Sequence, residues 1–153
     1  MTATKTRKAA APRIEIRSRY NAEKILFACE AATVREAVVL AVSRKVSLRS
    51  ADLRGADLSG ADLRSGEFSG ADFTGADLRG ADLGRALIML TDFGGADLRD
   101  ANLGHSHAMK ADLRGANLAG CNFADANFQE TYLSGTNRLE ANWSGTLLHG
   151  AQL

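Results

Sequence analysis

The 153-residue chain has two cysteines, one proline and no apolar run long enough to cross a membrane. Cys29 and Cys121 lie in different regions and in no CxxC or Cys/His spacing, so nothing points to a cysteine-held metal, and a reducing setting is expected. A membrane helix needs about 20 apolar residues, and the N-terminus lacks the apolar core of a secretory signal. A cytoplasmic setting is therefore expected. The signatures of catalysis are missing too: no GxSxG, HExxH, P-loop or Rossmann glycine pattern occurs. General acid–base work needs a shifted pKa in a cleft. The many Asp residues recur singly along the chain, and a regular repeat is expected to offer no cleft, so neither an enzyme nor a cofactor is expected. The single Pro, against fifteen Gly, suits a coiled β architecture better than disorder.

Net charge is +1, but unevenly distributed. Residues 1–45 carry ten Lys/Arg and four Glu, hence +6; residues 46–153 carry nine Lys/Arg and fourteen Asp/Glu, hence −5. A length of 153 residues amounts to one domain.

What the chain does have is a five-residue repeat, clearest in ADLRG ADLSG ADLRS GEFSG ADFTG ADLRG ADLGR from Ala51 to Arg85, and continuing to Leu153. Each unit has a large apolar centre, such as Leu53, Leu58, Leu63, Phe68 and Phe73. A small residue stands two before it, Asp or Asn one before it, and often Gly two after it. Ala108 is a small centre and Arg138 a charged one, which puts the inward register of the unit around Arg138 in question.

No straight element accommodates this period. Five residues advance an α-helix by about 500°, which scatters the centres around its axis. In a straight strand an odd period alternates faces. The chain must bend once per unit. With bends near a right angle, four units close a coil of twenty residues, and stacked coils pair in parallel about 4.8 Å apart. The sequence carries this longer period: irregular units begin at Gly66, Ala86, Ser106, Ala126 and Thr146, and bulky centres pair as Phe73 with Phe93 and Phe123 with Trp143.

The AD[LF]xG units of residues 46–153 resemble the pentapeptide-repeat family. That resemblance implies an all-β fold, a right-handed quadrilateral β-helix with one unit per side. Some members of the family bind DNA gyrase by mimicking DNA and protect it from quinolones. This gives one functional expectation for the present chain: a gyrase-binding DNA mimic. Arg49, Arg54, Arg64, Arg79, Arg99 and Arg114 interrupt the negative field such mimicry needs. Direct nucleic-acid binding is not expected either, because the basic excess is confined to the first 45 residues.

Ahead of the repeats, residues 1–12 read as a flexible basic tail, and residues 13–45 as a hairpin and a capping helix. The helix should begin at a capping box, with Thr33 accepting from the Glu36 backbone and Glu36 reaching back to Thr33. Val34, Ala37, Val38, Ala41 and Val42 then follow helical spacing, ending near residues 43–45. Such a helix would lid the core, since solenoids need capped ends. At the other end Trp143, Leu147, Leu148 and Leu153 are expected to form a homodimer interface.

The irregular face supplies the leading functional expectation. Its outward positions should be Glu67 and Ser69, then Leu87, Met89 and Leu90, then His107, Met109 and Lys110, then Asn127, Gln129 and Glu130. Leu87, Met89, Leu90 and Met109 would form an exposed apolar patch, the usual mark of a protein contact. A non-catalytic interaction scaffold is thus expected, with Leu87, Met89, Leu90, His107, Met109 and Lys110 as partner-binding residues, unless the N-terminal segment covers them. His105 and His107 could chelate a metal, but no carboxylate or Cys stands obviously beside them, so no metal site is assigned. Cys121 replaces an inward Ala and should be a buried thiol.

Overall fold

A computed structural model describes residues 11–153; the basic tail expected over 1–12 lies almost wholly outside them. The repeat region forms a solenoid of parallel β-bridges between residues twenty apart. Asp52 pairs with Asp72, Asp57 with Asp77, Asp62 with Asp82 and Glu67 with Leu87, and so on to Tyr132 with Gln152. The four pairings repeat in turn, so the coil has four faces, named here for the Asp72, Asp77, Asn102 and Leu87 positions. The β-helix expected from the period of five is the observed architecture.

One unit shows how the sequence drives each bend. Leu53 N–H donates to Asp72 O, and Asp72 N–H donates to Ala51 O, which lays one coil on the next. Ala56 N–H donates back to Leu53 O, closing a turn at the corner. The third residue of that turn, Gly55, has φ +62°, where a turn of this kind favours glycine. The Asx side chain completes the unit: Asp72 Oδ1 accepts from Thr74 N–H at 3.0 Å. Asn or Asp one before the centre is therefore a turn-forming choice.

The centres from Leu48 to Leu133 are fully or almost fully buried, with most of the small residues at the i−2 positions among them. Ala108 remains buried, and its unit keeps the ladder through His107. Arg138 is exposed although the bridge Asn117–Asn137 holds its register. It lies in the last coil, where no further coil covers the centre within the chain. Cys121 is buried, its Sγ 2.8 Å from Leu98 O, and burial pushes its thiol up to about 12.

Ahead of the solenoid, β1 (Arg13–Arg17) and β2 (Ile25–Glu30) pair antiparallel, and α1 spans Val34–Ser43. Ala37, Val38 and Ala41 of α1 join the same buried cluster as the solenoid centres. Thr33 Oγ1 accepts from Glu36 N–H at 3.1 Å, as its sequence requires. The Glu36 carboxylate, however, accepts from Ala32 N–H at 2.7 Å rather than from Thr33. The acid reaches one residue beyond the capping-box partner. The chain leaving β1 pairs with the first coil through Asp52 N–H to Arg17 O and Arg19 N–H to Ser50 O, each 2.8 Å. Arg19 also donates to Gly70 O and Ala71 O, and lies 3.3 Å from Asp72 and 3.8 Å from Asp92.

Candidate functional site

Two features break the regularity of the solenoid surface, and they share a corner. The first is the Leu87 face. Its ladder column reads Glu67, Leu87, His107, Asn127, Leu147. Leu87 is 37% exposed and Leu90 64%, whereas Met89 and Met109 are half-buried beside them. His107 and Lys110 are exposed. Seven of the corner residues flanking this face are not glycine: Ser65, Arg85, His105 and Asp125 on one edge, Leu90, Lys110 and Glu130 on the other. All seven have φ between 55° and 60°. By contrast, all five corners from Gly55 to Gly135 between the Asp72 and Asp77 faces are glycine. An L-residue in the left-handed region costs roughly 1–2 kcal/mol. Side chains are thus retained around this face against a repeated backbone penalty.

Ser69, expected to point outward on this face, is buried and its hydroxyl has no partner among the described residues. Its neighbour Gly70 receives the Arg19 guanidinium, so the chain leaving β1 packs against this edge. The described part of the N-terminal segment leaves Leu87 and Leu90 open. His105 and His107 belong to successive units across a corner; His105 Nδ1 lies 4.0 Å from Asp125 Oδ2. No group of three or more His, Cys, Asp or Glu side chains able to hold a metal occurs among the described residues.

The second feature is a groove of about 800 Å³ along the neighbouring Asn102 face. Sequence reasoning missed it, having expected no cleft. Its floor is bare because Gly84, Gly104 and Ala124 occupy the slot that holds Arg64 one coil earlier. Val39, Val42 and Ser43 of α1 wall one end, and Ser65, Arg85 and His105 line one edge. The signal was present: small residues at 84, 104 and 124, and Asn at 102, 122 and 142, each spaced by twenty. An amide ladder runs along it, Asn142 donating to Asn122 at 2.9 Å, Asn122 to Asn102 at 3.0 Å and Asn102 to Asp82 at 2.9 Å.

Elsewhere on the coil five arginines are charge-paired. Arg54, Arg64, Arg79, Arg99 and Arg114 each clamp the Asp two residues before, at 2.5–2.7 Å. The Arg64 and Arg79 guanidinium groups pull Asp62 and Asp77 down to about 2. Arg85 has no carboxylate within 4 Å among the described residues.

The family description "Pentapeptide repeats" matches this chain in eight copies, over residues 44–80, 67–104, 109–137 and 126–153. The protein belongs to the pentapeptide-repeat family. Among solved structures it is similar to the pentapeptide repeat protein Rfr23 from the cyanobacterium Cyanothece 51142. Identity there is 28% and the TM-score 0.55, over 65% of each chain. It is also similar to a pentapeptide repeat protein from the Arabidopsis thaliana thylakoid lumen, at 28% identity and TM-score 0.41, over 65% of this chain and 59% of that one. A third similarity is to QnrB1, a plasmid-mediated fluoroquinolone resistance protein, at 22% identity and TM-score 0.34, over 71% of this chain and 63% of that one. The chain therefore spans 65% of the length of the cyanobacterial protein. No curated protein matches. The pentapeptide-repeat assignment accounts for the coil and its ladders; the Leu87 face and the groove arise where the side chains depart from the commonest residues of the unit.

Proposed function

We propose that this pentapeptide-repeat protein is a non-catalytic interaction scaffold that binds a protein partner through the Leu87 face. The observation that carries this reading is the rim of six polar or charged corners, Ser65, Arg85, His105, Asp125, Lys110 and Glu130, around Leu87, Met89, Met109 and the corner residue Leu90. Apolar centres bordered by polar and charged residues are the anatomy of protein contact surfaces, and side chains held at a backbone cost mark positions kept for something other than stability. The hairpin and α1 act as a lid over the first coil. The last coil, with Trp143 half-buried and Leu147, Leu148 and Leu153 exposed, supports self-association into a homodimer.

The test is photocrosslinking from His107 in cells, with Leu87→Asp/Met89→Asp as control. A partner crosslinked by the parent and lost in the double variant, at unchanged thermal midpoint, supports the reading. A partner retained equally by both overturns it. Light scattering across a concentration series tests the dimer, which Trp143→Ser should weaken. DNA mimicry toward gyrase is weighed against by the Arg–Asp clamps, since mimicry needs a continuous negative field. Stoichiometric inhibition of gyrase supercoiling would favour mimicry over the scaffold.

A further inference from the structure

The groove on the Asn102 face, which shares the Arg85–His105 corner with the Leu87 face, carries a second inference. Its volume of about 800 Å³ lies within the range of ligand sites. Its walls come from two separate parts of the fold, α1 at one end and the solenoid along its length. Inside it the charges are unevenly answered. Arg64 is clamped by Asp62 at 2.6 Å. Asp82 Oδ1 accepts from Gly84 N–H and Asn102 Nδ2, and its other oxygen lies 3.7 Å from Arg64 Nε. His105 lies 4.0 Å from Asp125. Arg85 alone among these charged groups has no counter-charge within 4 Å among the described residues.

Hydrogen-bond capacity is also left over. Asn102 and Asn122 each give one amide hydrogen to the side chain one coil earlier. A carboxamide has two. The second has no acceptor among the described residues, and both side chains line the groove. Val39 and Val42, half-buried, add an apolar wall.

We propose that this groove receives an extended peptide segment bearing a carboxylate and an apolar side chain. The carboxylate pairs with Arg85, the segment's backbone carbonyls take the spare amide hydrogens of Asn102 and Asn122, and the apolar side chain rests on Val39 and Val42. From the Asp62 row to the Asn122 row is three coil spacings, about 14 Å, which matches about four residues of extended chain. A strongly basic peptide is disfavoured by Arg85, and a bulky folded surface by the bare floor between α1 and the corner.

The experiment is selection from a random-peptide phage library on the immobilised full-length protein. The synthesised winners are then titrated against the parent, Gly104→Arg, Ala124→Arg, Arg85→Glu and Leu87→Asp. Arg at 104 or 124 fills the floor as Arg64 does in its own coil, and Ala124→Arg remains informative if the glycine substitution harms folding. The expected result is peptides rich in Asp or Glu beside an apolar residue. They should bind either filled variant roughly tenfold or more weakly at unchanged thermal midpoint, and reselection on Arg85→Glu should return Lys or Arg instead. Peptides that bind both filled variants as well as the parent overturn the proposal, as does a consensus unchanged on Arg85→Glu. Winners lost on Leu87→Asp but not on Ala124→Arg also overturn it, while leaving the Leu87 face as the docking surface.

Discussion

Trp143 lies flat on Phe123, with ring centroids 4.1 Å apart and planes 17° from parallel. Phe128 meets the edges of both rings, 5.0 Å from Phe123 and 6.1 Å from Trp143. The stack joins the last coil to the buried column beneath it. Trp143→Ala should destabilise the protein, at less than the roughly 3–5 kcal/mol of a fully buried aromatic because Trp143 is only half-buried. Phe93→Ala, which removes a ring stacked on Phe73 at 5.2 Å in the closed core, should cost the full amount. Denaturant unfolding of the two variants checks the order.

Leu90 is 64% exposed and has φ +58°. Replacing it with glycine removes the steric penalty of the left-handed region, about 1–2 kcal/mol, and adds chain entropy to the unfolded state, about 0.5–1 kcal/mol. Leu90→Gly should therefore stabilise the protein by up to about 1 kcal/mol, while weakening the proposed partner contact. A fall in the denaturation midpoint would mean that this side chain anchors the fold instead.

Arg19 ties the turn after β1 to two successive coils, donating to Gly70 O and Ala71 O and facing Asp72 and Asp92. Hydrogen bonds to charged groups contribute about 1.5–3 kcal/mol. Arg19→Ala should lose stability of that order, and Arg19→Lys should recover only part of it, because an ammonium cannot span the same fork of acceptors. Hydrogen exchange should show the loss first at Asp52 N–H, which pairs with Arg17 O.

Acid should loosen the surface clamps in a defined window. Asp62 and Asp77 are held at about 2 by the arginines two residues on. A carboxylate depressed in the folded state adds stability that is fully present above its unfolded value, about 3.9, and is lost as pH falls towards 2. Asp62 is exposed and Asp77 partly so, and their arginine partners stand in solvent, so each contribution is small. The thermal midpoint should be flat above about pH 4 and decline below it, with a shallower decline at high salt. A decline beginning near pH 6 would assign the effect to histidine.

Much of the fold was legible in the chain. A five-residue period has no home in a straight element, and the recurrence of irregular units at twenty gave the size of the coil before any coordinate. Thr33 as the helix cap was equally plain, because the cap is local. What escaped depended on neighbours distant in sequence. Ser69 looked like any outward residue until Arg19 packed against its edge. The groove escaped because Gly84 and Gly104 read as ordinary small residues in their own units; only stacking them beneath α1 makes a wall and a floor. The exposure of Arg138 belongs to its position in the last coil, not to a slip in register.

The ladder of pairings twenty apart means that this protein counts. Removing one whole coil of twenty residues would shorten the column but return every side chain to its own face. Removing five residues between Asn102 and Lys110 would turn everything downstream by a quarter: Lys110 would leave the corner it shares with Leu90, and the amide ladder would break between Asn102 and Asn122. Along this lineage, length should therefore change readily in steps of twenty. Smaller steps, though tolerated by the core, would erase whatever is written on one side.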